Sequence, residues 1–316
     1  MPDTRRRRFA QPYPAGEALY WLVKNLAGPP RAPIPFAPVG SDVVLNAVVP
    51  ALSLAFIGDI LPTRHLTVTV APEVQAFIGR ADWLVGNLEG PVVDGRVPWV
   101  FMGQPHTPAI LDLLGTLARP ERTVLLCANN HAADYGRRVH ESSLAFLRRG
   151  GIRCAGERAE PTAVLTPEVA VTAGTAWSNH PQDFLAPLPA APPSGFALRI
   201  LTPHWGYELE TVPRPAQVEQ GERWVRTWDA VVGHHSHTPQ PVAAPRVGAV
   251  RRPIAYSLGN FTFAYDLANH RHGRILRLEV GPTATGDWAV GRLRWAPIVL
   301  RFERGSRATV ALAGDA

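Results

Sequence analysis

Cysteine is nearly missing from this chain: Cys127 and Cys154 are the only two among 316 residues. Two thiols cannot build a disulfide framework, so the pair reads as reduced and structural. Any metal held here would be held by nitrogen and oxygen, not sulfur. Lysine is scarcer still, with Lys24 alone beside 31 arginines. No stretch approaches the roughly 18 consecutive apolar residues of a membrane-spanning helix, which excludes direct membrane insertion. Heptads and internal repeats are absent too, which excludes coiled coils and solenoids. Charged residues make up only 18% against 46% hydrophobic, the balance of a soluble globular protein and not of a disordered one.

The net charge of +6 suggests a polyanion partner until it is divided along the chain. Residues 1–50 carry six basic groups, among them the Arg5–Arg8 run, and three acidic ones; the other 266 residues carry 26 and 23. The body is nearly balanced and lacks the electrostatic footprint of nucleic-acid binding. Residues 1–50 also hold nine of the 32 prolines. Their one short apolar stretch, Ala18 to Val23, is too short for a secretory h-region. They read as an arginine- and proline-rich arm on the surface of a cytoplasmic protein. Residues 51–301 form one α/β domain, and 302–316 a tail.

From Ala51 onward, apolar runs alternate with helical patterns. Leu52–Ile57, Ala81–Val85, Thr123–Cys127, Ala197–Leu201, Ala230–Val232 and Ile254–Leu258 read as strands. Thr107–Ala118, Val139–Arg149 and Pro215–Trp228 read as helices, and Ile275–Val280 and Trp288–Leu300 as closing strands. Five successive strands end in a side chain able to bind a hard or borderline metal. These are Asp59, Glu89, Asn130 with His131, His204, and His235 with His237. Strand ends in layered α/β folds gather at one edge, where ligands bind.

The residue types suit a site in which two divalent ions activate a water. Glu89 is the candidate bridging carboxylate, Asn130 a neutral amide ligand, and His204, His235 and His237 the imidazoles. Alternation along an extended segment puts His235 and His237 on one face. His131 is then free to act as general acid, oriented by Asp134. Arg137 and Arg138, just beyond, suit a substrate carboxylate or phosphate. His270 and His272 lie in a polar loop and read as surface residues.

Six ordered motifs carry a resemblance. They are Gly58-Asp59, Asn87-Leu88-Glu89, the run from Ala128-Asn129-Asn130-His131 to Gly136, His204-Trp205-Gly206, Gly233-His234-His235-Ser236-His237, and Tyr256 to Phe261. Together they resemble the CapA-type poly-γ-glutamate capsule-biosynthesis proteins, which are similar to calcineurin-like metallophosphoesterases. The resemblance implies a four-layer α/β/β/α sandwich, a bacterial source and two divalent metal ions, with Mn, Fe or Zn as candidates. By position it makes Asp59, Glu89, Asn130, His204, His235 and His237 metal ligands and His131 a proton donor. Asn260 is placed near the metals by the resemblance alone, and the extra His234 beside the substrate. One departure is Leu61, where the phosphoesterases carry a histidine, so His65 or water would have to complete the first metal.

The resulting expectation is a metal-dependent hydrolase acting on a small or polymeric γ-glutamyl substrate. The alternatives are a phosphoesterase on a small phosphorylated substrate and a non-catalytic, polymer-binding subunit of capsule synthesis.

Overall fold

The computed structural model describes residues 12–28, 32–180 and 182–314. The Arg5–Arg8 run therefore lies outside the described residues. In chain order the first half comprises α1 (Ala15–Ala27), β1 (Asp42–Val44), β2 (Leu52–Ile60), β3 (Thr67–Val70), α2 (Pro72–Ile78), β4 (Trp83–Leu88), α3 (Ile110–Gly115), β5 (Thr123–Leu126), α4 (Arg137–Arg149) and β6 (Arg153–Ala155). Next come β7 (Thr162–Val164), β8 (Val169–Thr175), β9 (Leu198–His204), α5 (Pro215–Trp224), β10 (Ala230–Val232), β11 (Val242–Ala243), β12 (Arg246–Val247), β13 (Val250–Arg251) and β14 (Ile254–Ala255). The chain closes with β15 (Asn260–Thr262), β16 (His272–Pro282), β17 (Trp288–Glu303) and β18 (Arg307–Leu312).

Two sheets carry the architecture. The larger runs β3-β18-β17-β16-β2-β4-β5-β6, with β1 on β17 and β15 on β2. Within it β2, β4, β5 and β6 are parallel, and β16 joins β2 antiparallel. The second sheet runs β11-β14-β10-β9-β8-β7, parallel from β8 through β14.

Alternation along β2 explains the layering. Leu54 and Phe56 point into a core shared with Val171, Ile200 and Val232 of the second sheet. Ala55 and Ile57 point the opposite way, onto Val74 of α2, Leu114 of α3 and Leu144 of α4. The second sheet repeats the scheme, with Leu201 and Val231 packed on Val218 and Trp224 of α5. The order is helices, sheet, sheet, helix, the expected α/β/β/α sandwich. Burying each large apolar side chain in these layers stabilises the fold by about 1.5–3 kcal/mol.

The ends of the chain differ from expectation. The stretch expected as a tail from residue 302 instead carries β18 (Arg307–Leu312), whose Ala308 and Val310 are buried. The N-terminal segment does more than rest on the surface. β1 pairs with β17, and α1 buries Lys24 while leaving Leu19, Leu22 and Leu26 exposed. The helix expected from Val139 begins at Arg137, because Gly136 at φ 82° supplies the turn ahead of it. No helix among the described residues is long and apolar enough to cross a membrane.

Candidate metal centre

The strand ends bring the predicted residues to one place. β2 extends through Ile60, so Asp59 is still in the strand, displaced by an irregularity in register between Ile57 and Asp59. Gly58 permits this: a Cβ there would lie 2.0 Å from the carbonyl oxygen of Gly259. Glu89 follows β4, Asn130 follows β5, and His204 ends β9. His235 and His237 follow β10 in left-handed backbone, at φ 96° and 57°. Such conformations cost about 1–3 kcal/mol each for a non-glycine residue, and they gather where side chains must be aimed.

Asp59, Glu89, His204, His235 and His237 are all buried. Glu89, His204 and His235 present ligand atoms within 4.8 Å of one another, and so do Asp59, Glu89 and His237. Glu89 belongs to both groups, with Oε1 3.4 Å from His237 Nε2 and 4.0 Å from His204 Nε2. Asn130 Oδ1 lies 2.7 Å from His204 Nε2, adding an amide oxygen to the same donors. Glu89 Oε1 and His235 Nδ1 are buried with no hydrogen-bond partner. Orphaned polar atoms of this kind are costly in a closed interior, and a divalent cation would satisfy them. Carboxylate, imidazole and amide without thiolate fit Mn, Fe or Zn.

The electrostatics agree with a cation-binding cluster. Burial pushes the Glu89 carboxyl up to about 8. Burial holds the His204 and His235 imidazoles well below their ordinary range, so both are neutral lone-pair donors. Burial opposes ionisation of Asp59 as well, but the neighbouring His234 and His237 override it and keep the carboxylate charged. A bound cation would likewise favour the ionised form of Glu89.

Polar residues around the cluster fix its orientation. Asn87 Nδ2 donates to Asp59 Oδ1 at 2.8 Å, and the backbone N–H of His235 donates to Asp59 Oδ2 at 3.1 Å. Asn260 Oδ1 lies 2.9 Å from His237 Nδ1, so it holds the imidazole. His234 Nδ1 is 3.2 Å from Asp59 Oδ1, on the Asp59 side of the cluster. His65 is exposed and does not stand in for the histidine absent at Leu61.

His131 and Asp134 form a buried pair, with Nδ1 2.7 Å from Oδ2. His131 Nε2 lies 4.0 Å from Glu89 Oε1, which turns the ring toward the cluster. Burial disfavours the imidazolium, but the Asp134 carboxylate outweighs it and raises the His131 pKa, with Glu89 acting in the same direction. Asn179 was not foreseen; it donates to Asp134 Oδ1 at 3.2 Å and lies 3.1 Å from His131 Nδ1.

A cleft of about 600 Å³ opens over His131 and His237. Its lining cation is Arg64, not Arg137 or Arg138. Arg137 and Arg138 sit exposed at the start of α4, where Arg137 pairs with Asp183 and Glu141. His270, read as a surface residue, is buried, and its carbonyl accepts from Asn260 Nδ2 at 3.0 Å. Glu208 lines the cleft as well, and its position two residues after Gly206 is the signal that could have found it.

Known proteins share much of this chain. It is 27% identical over 301 residues to the capsule biosynthesis protein CapA of Bacillus anthracis, covering 84% of this chain and 71% of the relative. It is 23% identical over 271 residues to the PGA biosynthesis protein CapA of Bacillus subtilis strain 168, covering 76% and 70%. Among solved structures, the calcineurin-like phosphoesterase YfkN of Bacillus subtilis is similar over 78% of this chain and 90% of that chain, at 11% identity and a TM-score of 0.42. The model of the bacterial capsule synthesis protein family PGA_cap matches residues 53–179 and 190–265, a span that holds every strand-end donor described above. The chain therefore belongs to that family.

Proposed function

We propose that the chain is a metal-dependent hydrolase cleaving an amide bond of poly-γ-glutamate or a related γ-glutamyl product. The observation that carries this reading is the His131–Asp134 pair, 2.7 Å apart and turned toward a buried donor cluster. A module that only binds polymer gains nothing from an oriented acid beside such a cluster.

Divalent cations, which Asp59, Glu89, Asn130, His204, His235 and His237 would hold, would supply Lewis acidity for polarising the scissile carbonyl and acidifying a water. The rest falls to the chain's own residues. Asp134 accepts the His131 Nδ1–H and so fixes the ring with Nε2 as the proton-bearing edge toward the cluster. Nε2–H protonates the amine as the carbon–nitrogen bond breaks, and water supplies the hydroxyl of the new carboxylate. Arg64 in the cleft suits a free α-carboxylate of the polymer, which guanidinium pairs with in bidentate fashion.

The test combines elemental analysis of purified protein with parallel assays of glutamate release from poly-γ-glutamate and phosphate release from generic esters. Bound metal with glutamate release, lost in His131→Ala while metal is retained, is the expected result. Phosphate release alone moves the chain to phosphoesterase chemistry. Metal-free protein with no metal-dependent rise in melting temperature overturns the hydrolase reading.

A further inference from the structure

Tyr13 lies 40 residues ahead of the first segment matched to the family, yet its hydroxyl oxygen is 2.6 Å from His235 Nε2. One face of the N-terminal segment explains the approach. Tyr13 stands just ahead of α1, and Glu17, Trp21 and Lys24 recur on α1 at spacings of four and three, a single helical stripe. Each is tied to the loop after β9. Trp21 Nε1–H donates to Glu208 Oε2 at 2.5 Å, and Lys24 Nζ donates to Glu210 Oε1 at 3.1 Å. Arg214 grips both Glu17 oxygens at 2.8 Å. The phenol ring packs edge-on against Trp177 and stacks on Tyr207, at centroid distances of 4.9 and 5.7 Å.

The surroundings of His235 Nδ1 then set the direction of the contact. The Glu208 backbone N–H donates to the Tyr13 oxygen at 3.1 Å, and the phenol hydrogen has an acceptor in Glu208 Oε1 at 3.5 Å. His235 Nε2 is the ring nitrogen beside the Tyr13 oxygen. If Tyr13 instead donated to Nε2, the neutral ring would carry its proton on Nδ1. That atom is buried without a hydrogen-bond partner, so a stranded N–H would result.

We infer that Tyr13 is a positioning residue for the metal centre: it accepts the His235 Nε2–H and so leaves Nδ1 as the bare lone-pair nitrogen. The ligand set Glu89, His204 and His235 is thus supported by a residue just ahead of α1, outside the family-matched region. A partner that fixes tautomer and ring angle typically changes metal affinity by about 10–100-fold. This inference rests on the metal-site reading above.

The experiment uses full-length protein and Tyr13→Phe, which deletes the hydroxyl and keeps the packed ring. Mn²⁺ and Zn²⁺ affinities are read by competition with a chromogenic chelator. Tyr13→Phe should weaken one equivalent about tenfold or more, and should have no further effect in a His235→Ala background. Nitrogen NMR of the histidine rings in metal-free wild type should show His235 as the Nε2–H tautomer, with the Nδ1–H form appearing in Tyr13→Phe. Affinity unchanged within twofold, tighter binding in Tyr13→Phe, or an Nδ1–H tautomer in wild type would each overturn the assignment. A wild type that binds neither ion defeats the metal reading, while the tautomer still decides the role of Tyr13.

Discussion

Replacing Gly58 by alanine tests how closely β2 and the Gly259 turn must approach to aim Asp59. The added Cβ would sit 2.0 Å from the Gly259 oxygen, 2.9 Å from its carbonyl carbon and 3.2 Å from the Leu258 oxygen. Real Cβ atoms keep at least 3.0 Å, so backbone must part by about 1 Å, and no side-chain rotation can relieve it. Overpacking of this kind costs about 1–3 kcal/mol. The bond from the Asp59 N–H to the Gly259 oxygen, 2.8 Å long, is lost or stretched at the same time, at about 1 kcal/mol more. Together the two come to roughly 2–4 kcal/mol. An unfolding entropy of about 2.1 cal/mol/K per residue gives about 0.66 kcal/mol/K for this chain, and hence a fall in Tm of about 3–6 °C. Calorimetry against Gly115→Ala, where nothing lies within 4 Å of the new methyl, supplies the control. That variant should be neutral or stabilising by up to about 1 kcal/mol. A Gly58→Ala protein melting within 1 °C of wild type, or no lower than Gly115→Ala, refutes the reasoning.

Asp134→Asn should lower the His131 pKa, because the carboxylate charge that raises it is gone. Turnover in the glutamate-release assay should drop by about 10²–10⁴-fold with metal content unchanged. Removing metal with a chelator should lower Tm, and adding Mn²⁺ or Zn²⁺ at about 100 times its Kd should restore about 2.7 kcal/mol, or about 4 °C by scanning fluorimetry. Burial depresses His140 to about 4 in the folded chain. Above pH 6.5 it is neutral folded and unfolded alike, whereas between pH 6.5 and about 4 only the unfolded chain takes up the proton. Stability should therefore fall as pH drops through that window, by about 3 kcal/mol for this group, and urea titrations of His140→Phe should show a correspondingly flatter pH profile.

The donor cluster was legible because its signal is local and repeated. An apolar run ending in Gly-Asp, Asn-Leu-Glu or Asn-His states both a strand and what its end presents, and parallel strands carry those ends to one edge. The arm was not legible in this way. The contact between Tyr13 and His235 spans 222 residues, and nothing near position 13 announces it. Arg137 and Arg138 misled because nearness to His131 in sequence is not nearness in space: Gly136 turns the chain and α4 carries both outward. Arg64, in the turn after β2, carries no motif and is found only once the cleft is closed around it. His270 looked like a surface residue from its polar neighbours, yet Asn260 holds its carbonyl and draws the ring inside. The strand at Arg307–Leu312 reads as tail in the sequence because only Arg307 and Thr309 alternate with Ala308 and Val310, after which Ala311 and Leu312 break the pattern.

The donor cluster draws on two independent sheets. Asp59, Glu89 and Asn130 come from strands of the larger one, while His204, His235 and His237 come from the smaller. A cation bound among them would be a crosslink between layers that otherwise adhere through the apolar core between them. Separating the sheets would then require either losing the ion or breaking several coordinate bonds at once. The loaded protein should resist mechanical and kinetic unfolding as one unit, and the stripped protein should let each sheet loosen separately.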